Sequence, residues 1–407
     1  MKHSLSSRRN LGNLFTASDT SRREFLKTGM SLVAVISGLE MITGCVTTET
    51  PAVVKSEPIN YPPLPYNKIQ PPKEGCFVGF YKDSGLEKDS LYESKQREIS
   101  QKAKNLDEYV DILKNEKDLW SLINKYSVGD LITFYENSTG VKPSILSFHF
   151  PMYLGFPMER SVTIAKRGIV PYVSADIGMH TKVFSNGFRL SDILGGKRDN
   201  YIKEYAQGAL MFGKEHGGFF FTAMIESNAN WFYWGQSSNL IPAWRHIWQI
   251  FEDEGANQFA TWVWEAYNPY GQPRSVMDHP EKHYFGDKYV DWIGLNVYSN
   301  DTNPYVNYNK MFDELTRDIY RQMLNNHPRK PLMLSAFGRA IGNDQPRWLV
   351  NAYKSIKNAF PEIRAAIHYE LNQKRFDPLW TDSTLTTESL QRLKEILRDP
   401  YWIMAKE

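Results

Sequence analysis

In the stretch MIESNANWFYWGQ, residues 224–236, the carboxylate Glu226 closes an apolar run, the amide Asn228 stands two residues on, and Trp231, Tyr233 and Trp234 follow. A carboxyl group among apolar neighbours has its pKa raised and can serve as a general acid near neutral pH. Indole rings beside it offer flat apolar faces suited to the C–H faces of sugar rings. Glu226 is therefore a candidate proton donor to a glycosidic oxygen. The plainer alternative pairs Glu226 with a basic loop residue and leaves the tryptophans to packing. His149, Asp176, Glu265, Tyr298, Ala336 and Glu370 end other apolar runs in the same way, a set rich in carboxylates.

These residues need elements to position them. Eight short runs, dense in aromatic and β-branched residues, read as strands: 76–81, 144–150, 169–176, 217–226, 259–266, 290–299, 331–338 and 363–371. Their apolar continuity on both faces suits parallel strands buried on both sides. Between them lie amphipathic patterns such as DNYIKEYAQGALMFGKEHG, IPAWRHIWQIFEDEG, FDELTRDIYRQMLNN, PRWLVNAYKSIKNAF and TTESLQRLKEILRD. Pro242 and Pro346 stand near helix starts, and several patterns end in Gly or Asn, as capping chemistry favours. Strands alternating with helices in this number predict an α/β fold, a (β/α)8 TIM barrel over residues 74–407, in which working residues gather at the C-terminal ends of the strands. A doubly wound sheet competes, but no Gly-rich phosphate turn follows the first run.

The 407 residues carry 48 Lys/Arg against 46 Asp/Glu, and 42% are hydrophobic. Such a balance gives no basic face for nucleic acid and excludes general disorder. Within residues 1–44, SRREFLK matches a twin-arginine export pattern, GMSLVAVISGL supplies the apolar core, and MITGC resembles a lipobox ending at Cys45. The expectation is an exported chain with Cys45 lipidated, held to the outer face of the cytoplasmic membrane by a Pro-rich tether over 45–73. An uncut N-terminal anchor helix is the alternative. Glu40 inside the apolar core departs from the leader pattern. With two cysteines, Cys45 and Cys76, neither a disulfide framework nor a Cys-based metal site is available. His149, His180, His279 and His283 lack a zinc-type spacing, so no metal and no cofactor are expected.

The strand-end segments resemble glycoside hydrolase family 26, the β-mannanase family with catalytic glutamates on strands four and seven. ESNANWFYWG resembles its acid/base segment, LSFHFP its second strand, FATWVWEAYNP its fifth, HYFGDKYVDWIGLNVYS its sixth and PLMLSAFG its seventh. The resemblance spans roughly residues 75 to 400, with the strands in order. It implies Glu226 as acid/base, Tyr298 as partner of the nucleophile, and His149, Asn228, Trp231, Trp234, Trp264 and Tyr298 as groups that contact a mannan-like, β-linked polysaccharide. Three departures fall in the same cup. Ala336 occupies the position of the nucleophile, Ile225 replaces a His, and Thr222, Ala223 and Met224 leave no Arg upstream of Glu226.

A retaining glycosidase needs two carboxyl groups about 5–5.5 Å apart, one of which bonds to the sugar, and a methyl group cannot do that. The leading expectation is a glycan-binding protein whose retaining chemistry is lost or altered. An active hydrolase remains open, with Asp176, Glu265 or Glu370 as a base about 6.5–9.5 Å from Glu226 or with a natural glutamate replaced. So does a barrel used only as an envelope scaffold.

Overall fold

The computed structural model describes residues 59, 61–65, 67–82, 94–95, 98–99, 101–117, 128–177, 188–270, 276–299, 310–372 and 382–405. The export leader, Cys45 and His180 lie outside the described residues, as does the side chain of Asp176.

The eight apolar runs are strands: β1 Cys76–Lys82, β2 Ile145–Pro151, β3 Val170–Asp176, β4 Phe219–Thr222, β5 Ala260–Tyr267, β6 Trp292–Ser299, β7 Leu332–Arg339 and β8 Ile363–Glu370. Each pairs in parallel with the next, and β1 pairs with both β8 and β2, which closes the barrel. A two-residue strand, β9 (Trp402–Ile403), adds to β1 at Cys76 and Phe77. The expected (β/α)8 barrel is the observed fold.

Helices wrap the outside wherever an apolar stripe recurs at helical spacing. Leu240, Ala243, Trp244, Ile247, Trp248 and Phe251 form the buried stripe of the helix Leu240–Asp253, and Pro242 stands in its first turn. The helix Asp199–His216 stops at Gly217, whose φ of 89° is accessible to glycine without strain. The helix Thr387–Ile396 starts where the Thr386 hydroxyl accepts the Ser389 amide. Helices Leu106–Asn115 and Val128–Thr139 fill the long span between β1 and β2.

Inside the barrel, Ile145, Tyr172, Phe220, Val263, Trp292, Met333, Ala365 and Ile367 form one apolar layer. Below it the chain before β1 closes the floor. Trp292 donates its indole N–H to the Ile69 carbonyl at 3.0 Å, Thr261 accepts the Ile69 amide at 2.9 Å, and Lys68 pairs with Asp291 at 2.6 Å. Tyr61 donates to Glu362 at 3.0 Å, and Glu362 also takes the Arg364 guanidinium at 2.9 Å. The described part of the stretch expected as an extended tether is thus docked on the barrel, because it satisfies polar groups that the floor would otherwise bury unpaired.

Candidate active site

The segment expected to continue β4 as far as Glu226 leaves the strand after Thr222. Glu226 itself sits at φ 50°, in the left-handed region that side chains other than glycine rarely occupy. Both its neighbours are pinned. Trp234 donates its indole N–H to the Ile225 carbonyl at 2.9 Å, and Ser227 donates its amide to the Glu265 carbonyl at 3.2 Å while its hydroxyl accepts the Trp264 indole at 2.9 Å. Such strain, of order 1–3 kcal/mol, persists only where surrounding contacts determine the backbone.

Those contacts correct three expected sugar-contacting residues. Trp234 and Trp264 are buried packing residues whose indoles hold the turn, Trp264 pointing outward against Tyr284. Asn228 is fully buried and has its amide spent: Nδ2 donates to the Tyr267 carbonyl at 3.0 Å and the Asp278 carbonyl at 3.1 Å, and Oδ1 accepts the Tyr267 amide at 2.9 Å. It clamps the turn after β4 to β5 and to the loop at Asp278. Gly235 has no room for a side chain in this turn, since a Cβ there would fall 1.6 Å from the Ala229 carbonyl oxygen.

The clamped turn presents the Glu226 carboxylate to two donors. Trp231 reaches it through its indole N–H at 2.6 Å, and Asn296 on β6 donates to Oε1 at 3.0 Å. The same Asn296 nitrogen lies 3.4 Å from Oε2 of Glu265 on β5, whose other oxygen accepts the Tyr172 phenol. The orientation of that amide is fixed from below, where Ser335 donates its hydroxyl to Asn296 Oδ1 at 2.6 Å. This contact follows from a slip in register. Leu295 pairs with Leu334 but Asn296 pairs with Ala336, so β7 bulges at Ser335 and turns both Ser335 and Ala336 toward Asn296. Gly294 makes room for it, because a Cβ there would meet the Ser335 hydroxyl at 2.7 Å.

Burial pushes Glu265 up to about 7; its bond to Tyr172 works against that shift and the nearby Glu226 adds to it. Burial and the Glu265 carboxylate together hold the Tyr172 phenol protonated, well above its ordinary range. The two carboxylates therefore share one neutral amide, and Glu265 alone of them holds the Tyr172 phenol. Glu370, the third carboxylate weighed as a base, faces the other way. It pairs with Lys82, which lies 4.4 Å from the Phe134 ring on the outer helix Val128–Thr139, and it takes no part in the cup.

Six half-buried rings complete the rim. His149 on β2 meets Tyr81 on β1 edge-on at 5.3 Å, and Tyr81 stacks on Tyr369 of β8 at 5.0 Å. Tyr369 meets Tyr298 of β6 at 5.3 Å, Tyr298 meets Tyr267 of β5 at 5.7 Å, and Tyr267 meets Trp231 at 5.0 Å. The contact from β6 to β8 passes over β7, where Ala336 and Gly338 present almost no side chain. Tyr298 thus finds aromatic edges where a long β7 side chain would stand. Of the residues singled out from sequence, Trp231 bonds to Glu226, and His149 and Tyr298 stand in the same chain of rings. Sequence reasoning misses Asn296, Tyr172, Tyr81, Tyr267 and Tyr369, although the Glu265/Tyr267 and Asn296/Tyr298 pairs, two residues apart near the ends of consecutive strands, carry the signal. Among the described residues, no group of three or more His, Cys, Asp or Glu side chains is placed to hold a metal ion.

Residues 195–360 match the family model described as glycosyl hydrolase family 26. Over 194 residues, 45% of its length, the chain is 30% identical to endoglucanase H of Acetivibrio thermocellus, and it spans only 20% of that protein. Among solved structures it is similar to the family 26 domain of an endo-β-mannanase/endo-β-glucanase from Prevotella bryantii, with a TM-score of 0.50, 12% identity and coverage of 82% of this chain and 91% of that one. A β-mannanase from a symbiotic protist of the termite Reticulitermes speratus, complexed with gluco-manno-oligosaccharide, gives a TM-score of 0.51 at 14% identity, over 82% of this chain and 89% of that one. At such identities the structural likeness speaks for the barrel alone.

Proposed function

We propose, from the match of residues 195–360 to the glycosyl hydrolase family 26 model, that the chain is a family 26-like protein whose cup binds a β-linked mannan- or glucan-type polysaccharide. The observation that carries this reading is the aromatic rim ending on a held carboxylate: six rings in unbroken contact, the last of them donating to Glu226 at 2.6 Å. Half-buried rings offer apolar faces to sugar C–H groups, and Glu226 offers a polar anchor or a proton to a bridging oxygen. Ala336 stands where the family resemblance expects a nucleophile, so double displacement through β7 is lost or altered in this chain.

Retention of the purified protein on immobilised β-mannan, β-glucan and β-xylan tests the reading. Binding to at least one of the first two is expected. Tyr369→Ala and Trp231→Ala should each weaken it about tenfold, the effect of losing roughly 1.4 kcal/mol of ring contact. A protein that passes unretarded through all three polymers would sink the proposal.

We further propose export by the twin-arginine route and lipid attachment at Cys45. A single acyl chain gives marginal membrane affinity, whereas stable anchoring takes more than one. Full-length protein expressed in a bacterium should sediment with membranes, and Cys45→Ser should move most of it to the soluble fraction. Equal sedimentation of both forms would point to an uncut anchor helix instead.

A further inference from the structure

We infer that Glu265 is the second reacting carboxylate of the cup, acting with Glu226 on the bound glycan although β7 supplies no carboxylate. The inference rests on the reading that the cup takes a β-linked polysaccharide.

Geometry comes first. Glu226 and Glu265 lie on one amide nitrogen at 3.0 and 3.4 Å, so their nearest oxygens are no farther apart than the sum of those distances. An inverting pair needs about 6.5–9.5 Å to admit a water, whereas a retaining pair stands about 5–5.5 Å apart. The shared amide therefore favours direct attack over an interposed water. Accessibility agrees: Glu226, Glu265 and Ala336 keep 8%, 5% and 8% exposure, while Phe220, Val263, Trp292 and Met333 in the layer beneath have none. These three residues thus keep some contact with solvent that those four residues of the layer beneath lack.

Chemical environment comes second. A nucleophilic carboxylate must be oriented and able to ionise, and Glu265 receives a phenol on one oxygen and an amide on the other, bonds that favour its charged form against the burial that pushes it up to about 7. It also projects from the middle of a paired strand, the rigid placement that attack at a fixed carbon requires. Glu226, on the strained turn at the rim, is placed to give up a proton. Two carboxylates this close resist joint ionisation, which favours the state with one proton between them.

The reaction balances as a double displacement. A Glu265 oxygen bonds to the anomeric carbon as the bond to the leaving chain breaks, and the Glu226 proton passes to the leaving oxygen. Glu226, now ionised, then takes a proton from water, whose oxygen bonds to the anomeric carbon as the ester to Glu265 breaks. One water is consumed and both side chains return to their starting states.

The experiment uses the full chain with β-mannan and β-glucan, and with activated 2-deoxy-2-fluoro-β-mannosides and glucosides that accumulate the glycosyl ester. Reducing-end release by the unaltered protein is expected, with the fluorosugar mass on the peptide that carries Glu265. Glu265→Ala should lower release on the order of a thousandfold or more. Azide should restore turnover in that variant and yield a glycosyl azide of inverted configuration. Should the variant fail to fold, the position of the label in unaltered protein still decides. Polymer retention without release, release that survives in Glu265→Ala, or a label on another residue overturns the assignment and leaves the binding reading intact. Absence of retention as well overturns both.

Discussion

Replacing Asn228 by alanine is expected to lower stability by about 3–5 kcal/mol and to loosen the turn that carries Glu226. The side chain is wholly buried and makes three bonds to backbone, to Tyr267 O, Asp278 O and Tyr267 N. Each lost bond costs roughly 1 kcal/mol, and a buried donor left without an acceptor costs roughly 1–3 kcal/mol more. The Tyr267 amide loses its Asn228 Oδ1 acceptor in this way. The damage extends to the site through the same residue. The Asn228 carbonyl accepts Gln236 Nε2 at 2.9 Å and the Asp278 amide at 2.9 Å, so the turn, the 276–278 segment and β5 are one bonded unit. Urea unfolding should show a reduced midpoint with little change in slope. Hydrogen exchange should show faster opening over 227–236 than over β5, as expected of a segment released from its clamp. Asn228→Asp tests the charge: it keeps the shape but turns a carboxylate toward two carbonyls, and it should be destabilised at least as much. A near-neutral alanine variant would mean that another group closes the turn.

The fold was legible in the sequence because parallel strands buried on both faces leave continuous apolar runs, and helices leave stripes and caps. The same continuity hides which face of each strand points inward. Trp264 and Glu265 are adjacent on β5 and necessarily point to opposite sides. Nothing in FATWVWEA separates the inner parity from the outer one, so sequence alone assigns Trp264 to the cup although it packs outward on Tyr284. Parity also misplaces Glu370: its neighbour Tyr369 is the residue in the rim, and Glu370 turns to Lys82. Ala223, Met224 and Ile225 extend the apolar run and read as strand, but Ile225's carbonyl is taken by the Trp234 indole rather than by a strand neighbour. Asn228 in the same segment illustrates a further limit. An amide two residues from a candidate acid looks the same whether it touches a sugar or ties down the loop beneath it, and only the neighbouring carbonyls decide. The docking of residues 67–69 is hidden for a related reason. It depends on single bonds from Trp292 and to Thr261 and Asp291, more than 190 positions away in sequence, which leave no periodicity.

Relative to Glu265→Gln, the unaltered chain is expected to lose about 3 kcal/mol of stability between pH 4.5 and pH 8, while buried His368, pushed down to about 3, shifts both proteins alike in the opposite sense below its ordinary range. Glu265 has its pKa raised by burial from 4.5 to about 7. Between those values the folded chain keeps a proton that the unfolded chain has released, so rising pH favours unfolding across that window and the loss is complete above about 7. One pKa unit corresponds to about 1.4 kcal/mol, which gives the size. Solvent screening does not reduce it, since Glu265 is only 5% exposed. Glu265→Gln removes the titrating group while its carbonyl oxygen still accepts the Tyr172 phenol. Urea unfolding of both proteins at pH 5, 6, 7 and 8 should therefore give a stability difference, unaltered chain minus variant, that falls steadily as the charge at Glu265 develops. If that difference instead grew from pH 5 to 8, the fold would favour the charged form of Glu265 and the shared-proton description of the cup would fail. The same measurement bears on chemistry. A carboxylate that becomes ionised only as the pH nears 7 can attack a sugar only above that point, so any hydrolysis that depends on Glu265 should rise along the pH interval in which the fold weakens.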